Sequence, residues 1–455
     1  MNEHITNKMA SVSVKKLMLS MGIPMVISLM LQALYNIVHS LFIANIQENA
    51  EAALNALTLA FPLQILMVAT AIGTGVGANA LLSRSLGQGD RDKASLTAGN
   101  AVFLGILISV IFAIFGVFGT ELYAESQTSD PLVCSMASDY LRICCIFSFG
   151  NVLFAIFEKL LQAGAHPICS TISLISGAAA NIILDPIMIY GLWGCDEMGI
   201  KGAAWATVIG QIVSFAVACL LHLCFNSELS KNIKNMKPSF RIISEIYKIG
   251  VPAIISQALI SVMTYGLNII LGALSDVMVT VYGLFYKIQQ FVLFAAFGFR
   301  DAITPIVSFN YGKKDSARVE EGIRCGLLYT ILLMAIGTTA AEMFANPIST
   351  LFSLSGEANS LFTGAVRIIS VSFVFAGANI AFQGVFQALN RGAESLVISF
   401  LRQLVLIFPI VILFVSISKV NPEMKWIVWT AFPITELLSL SVTVLMFRRV
   451  QRKIR

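Results

Sequence analysis

Gly22-Ile-Pro-Met-Val-Ile-Ser28 and Gly250-Val-Pro-Ala-Ile-Ile-Ser256 are two versions of one heptapeptide, 228 positions apart. Each sits at the opening of a long apolar run. Further out, Gly87-Gln-Gly-Asp-Arg-Asp-Lys93 has its counterpart in Gly312-Lys-Lys-Asp-Ser-Ala-Arg318, 225 positions later. Gln162-Ala163 recurs as Gln387-Ala388, again 225 later. Matches at nearly one offset mark an internal duplication. The Gly-x-Pro at both openings reads equally as a kink at a helix start and as a hinge.

What is duplicated is a set of membrane spans. Apolar residues make up 57% of the 455-residue chain and charged residues 12%, with a mean hydropathy of +0.82. A soluble domain carries about 25% charged residues, so a soluble protein of this size is excluded. Windows of about 20 residues give twelve apolar segments: 17–44, 54–83, 95–118, 136–163, 168–192, 202–225, 248–274, 277–309, 322–345, 361–388, 395–417 and 425–447. The first is too long for the core of a signal peptide. Outer-membrane barrels, which read as weak ten-residue alternations, are excluded as well. The expected fold class is therefore an all-α membrane protein with twelve transmembrane helices in two pseudo-symmetric six-helix bundles. The eight cysteines show neither CxxC nor metal spacing.

Basic residues set the orientation. One set of alternate loops holds Lys15 and Lys16; Arg84, Arg91 and Lys93; Lys234, Lys237 and Arg241; Lys313, Lys314 and Arg318; and Arg448, Arg449 and Arg452. The opposite loops hold Lys201, Lys419 and Lys425 among many acids. The positive-inside rule places both termini and the 226–247 connector in the cytoplasm, so the net charge of +5 is no sign of nucleic acid. Residues 1–225 form one six-span lobe and 248–455 the other. Six is even, so the repeats are parallel, as in transporters with a midplane site between two lobes.

The segments Leu31-Gln-Ala-Leu-Tyr-Asn-Ile-Val38, Tyr286-Lys-Ile-Gln-Gln-Phe291 and Pro305-Ile-Val-Ser-Phe-Asn-Tyr-Gly312 resemble the multidrug and toxic compound extrusion (MATE) family. So do Asn181-Ile-Ile-Leu-Asp185-Pro186 and Ala203-Ala-Trp-Ala-Thr207, and the resemblance extends over residues 15–450. It implies two six-helix bundles forming a V around a central cavity. It implies export of organic cations and other amphipathic compounds against inward Na⁺ or H⁺, with Asn181, Asp185 and Thr207 carried over by position as cation-site residues.

Polar groups inside the bilayer lead to the same place from physics alone, because each needs a partner or a cavity. Asp185 lies mid-span with Asn181 one turn before it on the same face. Its two readings are an interhelical hydrogen bond from a protonated acid and a proton or cation site. Ser28, Gln32, Asn36 and His39 form a polar stripe on the first span. Thr207, Gln211 and Ser214 form another on the sixth. The family usually carries an aspartate where this chain has His39, and imidazole removes one hard oxygen ligand and one negative charge. Two readings follow for His39: a proton-exchange partner, or a neutral ring bonded to Asp185 or Asn36.

The second half offers Ser256, Gln257, Thr264 and Asn268 on its first span and Asn379, Gln383 and Gln387 on its fourth, so no cation site is expected there. Arg142, Glu158, Lys159, Arg300, Asp301, Arg367, Arg402 and Glu436 are read as mostly snorkelling near span ends. Lys287 lies deeper, facing a cavity or paired with Asp276 or Asp301. A substrate cavity is expected from Gln32, Tyr35, Gln257, Met263, Tyr282, Tyr286, Gln289 and Gln383, since methionine surfaces and aromatic faces suit promiscuous binding and cations. The expected function is a secondary-active antiporter in the cytoplasmic membrane, exporting drugs or other amphipathic compounds on an H⁺ or Na⁺ gradient. It needs no cofactor and no metal beyond possible Na⁺, and partners only with small-molecule substrates and the lipid bilayer, as a monomer. A lipid-linked oligosaccharide flippase is the alternative, and a membrane-embedded enzyme a remote one. With no Walker A sequence, ATP hydrolysis within the chain is excluded.

Overall fold

A backbone crossing hydrocarbon must satisfy its own N–H and C=O groups, so apolar runs of this length become helices. The computed structural model describes residues 8–46, 50–226, 229–230, 232–351, 354 and 356–452, and within these the side chain of Asn36 lies outside the described residues. Among the described residues there is no strand. The helices are α1 (Val14–Ala44), α2 (Ala50–Gly87), α3 (Arg91–Phe118), α4 (Pro131–Ile146), α5 (Phe149–Ala163), α6 (Pro167–Tyr190) and α7 (Gly199–Phe225). The second half follows with α8 (Phe240–Gly272), α9 (Asp276–Gly312), α10 (Ser316–Leu351), α11 (Gly356–Ser370), α12 (Ser372–Ala388), α13 (Gly392–Phe400), α14 (Ile407–Val420) and α15 (Ala431–Gln451).

Among the described residues ten stretches are long and apolar enough to cross a membrane, and counting each of two bent pairs as one span brings the number to twelve. The pairs are α4–α5, bent by 47°, and α11–α12, bent by 45°. Each reads in the sequence as one straight span, 136–163 and 361–388. At the first break the Phe147 N–H turns back onto the Cys145 and Ile143 carbonyls, a tightened turn that ends one helix and re-aims the next. The second break falls at Val371, 225 positions beyond Ile146.

The duplication extends to single backbone angles. Ala165 and Asn390, 225 positions apart, both take the left-handed conformation, at φ 62° and 61°. The residues that follow, His166 and Arg391, match within a degree: φ −115°, ψ 54° and φ −114°, ψ 55°. Gly89 and Lys314, also 225 apart, share positive φ. A side chain in that region is strained unless its surroundings fix it, so its recurrence shows that each loop geometry is built in.

The chain packs as two compact units, Met1–Lys8 with Ile27–Ile254, and Met9–Val26 with Ile255–Arg455. Both cuts fall two residues after the prolines of the opening heptapeptides, Pro24 and Pro252. In the first unit, buried Leu81, Ile156, Leu160 and Ile246 share a core cluster. Asn100 there accepts from the Ser239 N–H at 2.8 Å, and Lys93 pairs with Glu245 at 2.7 Å. In the second unit Arg318, the repeat counterpart of Lys93, donates to the carbonyls of Met9 and Val12 at 2.8 and 2.7 Å.

Candidate functional site

In the first unit the polar stripe of α1 meets the polar face of α6. Ser28 donates to Thr171 at 2.7 Å, and three turns along His39 Nδ1 lies 2.8 Å from Asp185 Oδ2. Asp185 is fully buried and His39 nearly so. α7 completes the cluster: Asn181 Nδ2 donates to the Thr207 hydroxyl at 3.4 Å. The Tyr35 ring stands 6.2 Å from the His39 ring, with its hydroxyl in reach of Thr207.

Two glycines bring α6 and α7 into register. A Cβ on Gly177 would sit 1.8 Å from Ser214 Oγ and 2.4 Å from the Gly210 carbonyl oxygen. One on Gly210 would meet the Gly177 carbonyl oxygen at 2.8 Å. Only residues without a Cβ allow this approach, and one turn further along α6 it delivers Asn181 to Thr207. Gly177 lies about two turns before Asp185 on the same helix face, and the contact explains why it is there.

Burial is the controlling fact about the acid. An ionised carboxylate away from water is costly unless paired and hydrogen-bonded. Among the described residues Asp185 finds one hydrogen-bond partner, the imidazole. Asp185 Oδ1, His39 Nε2 and Asn181 Oδ1 have none among the described residues. For a hard cation the same cluster offers three oxygens, Asp185 Oδ1, Asn181 Oδ1 and Thr207 Oγ1, with the other carboxylate oxygen engaged by nitrogen. No group of three or more His, Cys, Asp or Glu side chains arranged for a metal ion occurs among the described residues.

The second unit holds an ionic site that the sequence reading passed over. Arg402 and Glu436 do not snorkel. Arg402 is buried and Glu436 largely so, and they are joined by Nε–Oε2 and Nη2–Oε1 contacts of 2.7 and 2.8 Å. Asn379 Nδ2 donates to Glu436 Oε2 at 2.9 Å, and Thr443 donates to Asn379 Oδ1 at 3.1 Å. The pair lines a cavity of about 50 Å³ together with Met263, Tyr286, Gln289 and Phe297. The available signal was position: Glu436 lies at the centre of the apolar segment 425–447, far from either end, with an opposite charge inside the preceding span.

The other expected cavity residues divide. Met263, Tyr286 and Gln289 line the cavity. Tyr282 is buried beside it, stacked on Phe432 at 5.9 Å. Gln383 is turned to Ser399, donating at 2.9 Å. Gln32 and Gln257 are half-buried on α1 and α8. Lys287 is exposed, and Asp301 is engaged by Arg300 at 2.8 Å. Lys159, read as snorkelling, is buried and donates to Gln162 at 3.1 Å.

Comparison with known proteins extends these observations. The MatE family model matches residues 24–187 and 252–413, once in each repeat. The multidrug export protein MepA of Staphylococcus haemolyticus is 26% identical over 399 residues, covering 87% of this chain and 86% of that protein. MepA of Staphylococcus aureus is 25% identical over 398 residues, with 86% and 85% covered. An outward-facing multidrug resistance MATE family transporter of the MOP superfamily superposes with a TM-score of 0.91 at 22% identity, over 100% of this chain and 99% of that one. A MOP superfamily transporter of Pyrococcus furiosus, described as having a binding pocket of reversed polarity, gives 0.89 at 22% identity over the same shares. At this identity the structural likeness establishes the fold.

Proposed function

This chain belongs to the MatE family, whose model covers most of both repeats, and from that premise we propose that it is a proton-driven exporter of amphipathic organic compounds. Its relatives over nearly the whole length are named as multidrug export proteins, which supports the substrate class and not the flippase alternative. The observation that carries the coupling is the 2.8 Å contact between His39 Nδ1 and Asp185 Oδ2 in a buried setting.

Coupling requires a group whose charge differs between the two halves of the cycle. With one proton the His39–Asp185 pair is neutral overall; without it the pair carries one buried negative charge. The deprotonated state attracts a substrate cation or another proton, so the two compete for the same charge. Histidine makes that exchange available near neutral pH. Imidazole nitrogen is a poor partner for a hard ion, and here it already holds one carboxylate oxygen, which supports H⁺ over Na⁺. In this reading the protein acts as a monomer, without ATP, in the cytoplasmic membrane with both termini inside.

Dye efflux from inverted vesicles, with ΔpH and ΔNa⁺ imposed separately, tests the coupling. ΔpH alone is expected to drive efflux, and Na⁺-stimulated efflux at clamped pH overturns the proton reading. His39→Asp, by restoring a second carboxylate, is expected to bring in Na⁺ sensitivity. A folded, inserted variant indifferent to Na⁺ removes that part of the argument. Cysteines placed near Asp196 and Lys419 are expected to react with an impermeant thiol reagent from outside, and ones near Asp90 and Lys314 are not. The reverse pattern would invert the orientation.

A further inference from the structure

The cavity of the second unit is built around a fixed pair of opposite charges, and it is short of hydrogen-bond partners. Arg402 meets Glu436 through two nitrogens, while Glu436 is also held by Asn379. Four further polar atoms on the cavity wall are buried without a partner among the described residues: Gln289 Oε1, Gln403 Oε1, Ser372 Oγ and Thr435 Oγ1. Buried polar groups call for hydrogen-bond partners, so four on one wall mark a surface suited to a polar ligand. The backbone is also committed to the site. Leu401–Val405 forms a π-helical turn, closed by the Leu406 N–H onto the Leu401 carbonyl at 3.0 Å. Arg402 and Gln403 on this turn both line the cavity. Turns of this type are uncommon and gather at functional sites.

We propose that this cavity receives the two charged groups of a zwitterion, an ammonium and a carboxylate, which about 50 Å³ can hold, while the apolar or aromatic body that carries them extends along the cavity's open side. The charge argument is decisive. Arg402 and Glu436 sum to zero, so a net cation or anion entering the site leaves one uncompensated charge away from water, which is strongly unfavourable. A zwitterion keeps the sum at zero while matching both ends. Its carboxylate meets the guanidinium, whose planar fork accepts a second acceptor beside Glu436. Its ammonium meets Glu436 and the carbonyl oxygens of Gln289 and Gln403, which as pure acceptors call for a donor. Tyr286, Phe297, Phe432 and Met263 supply the apolar wall. The site lies within the second unit and involves neither His39 nor Asp185, so it stands or falls separately from the proton-coupling reading.

Binding, which needs no gradient, is the measurement. The purified full-length protein is titrated calorimetrically with three probes of one shape: phenylalanine (zwitterion), phenylalaninamide (cation) and N-acetylphenylalanine (anion). Phenylalanine is expected to bind at least ten-fold more tightly than either singly charged analogue. Arg402→Gln combined with Glu436→Gln, which keeps hydrogen-bonding capacity and removes both charges, is expected to erase that preference. Gln403→Leu, which leaves the ion pair intact, is expected to weaken phenylalanine several-fold and serves as the second variant if the first does not fold. Equal binding of all three probes, preference for a singly charged one, or no binding of phenylalanine overturns the proposal.

Discussion

Gly177 and Gly210 press α6 and α7 together backbone to backbone in the first unit. The residues 225 positions further on are Arg402 and Thr435, and there the corresponding helices stand around a cavity. The same locus in two copies of one fold is thus closed in one and opened in the other. Where it is closed, the ionisable group sits about two turns along the helix, at Asp185, paired with the His39 imidazole. Where it is opened, the carboxylate is paired with a guanidinium that is always charged. Duplication supplied two equivalent frames, and a few side chains gave one a histidine–carboxylate pair and the other an arginine–carboxylate pair.

The largest expected effect separates the two acids. Asp185→Asn is expected to abolish gradient-driven efflux while substrate binding stays within a few-fold, because an amide cannot change charge. Efflux at the wild-type rate would reduce the His39–Asp185 pair to a structural bond and dissolve the contrast. Next in size is the fixed pair. Glu436→Leu leaves Arg402 buried and unpaired and should cost about 3–5 kcal/mol of stability, whereas Arg402→Met with Glu436→Leu should recover most of it. Denaturant or thermal unfolding in detergent reads both; equal losses would mean that the pair does more than neutralise itself.

Smaller again is the closed locus. Gly177→Val is expected to destabilise by about 1–3 kcal/mol through overpacking and to lower efflux, by prising Thr207 from Asn181. Full stability and activity would show that the α6–α7 contact does not position the site. The smallest effect compares His166 with Arg391, which share one backbone geometry. Burial, and secondarily the charge of Lys8, hold His166 below its ordinary value of 6.5. The folded protein therefore binds fewer protons there than the unfolded chain does, and stability falls as pH drops below about 6.5. His166→Asn should flatten that part of the pH–stability curve, and Arg391→Gln should leave its slope unchanged. An unaltered slope in His166→Asn would place the proton elsewhere.

Asp185 was legible because one carboxylate in the middle of an apolar segment is conspicuous wherever it points. Its partner was legible as well, since His39 lies on a periodic polar stripe and departs from the family pattern at a single position. Arg402 and Glu436 were visible as charges, but not as a pair. They belong to helices 34 residues apart, and no periodicity links one helix to another. The π-turn at Leu401–Val405 has no sequence signature beyond the residues themselves. The bends at Phe147 and Val371 were hidden for a related reason: an apolar run reads alike whether straight or broken.

The sequence by itself determined that this chain crosses a membrane, that it is one six-span unit written twice, and that an acid, Asp185, stands mid-span one turn from Asn181. Those follow from burial free energy and local periodicity, which act residue by residue along the chain. Only the tertiary structure decided that α1 and α8 change packing partners just after their prolines, that two glycines bring Asn181 to Thr207, and that Arg402 closes on Glu436. Each of these depends on which helix faces which at a separation of a few ångströms, and that is fixed by the packing of side chains far apart in sequence.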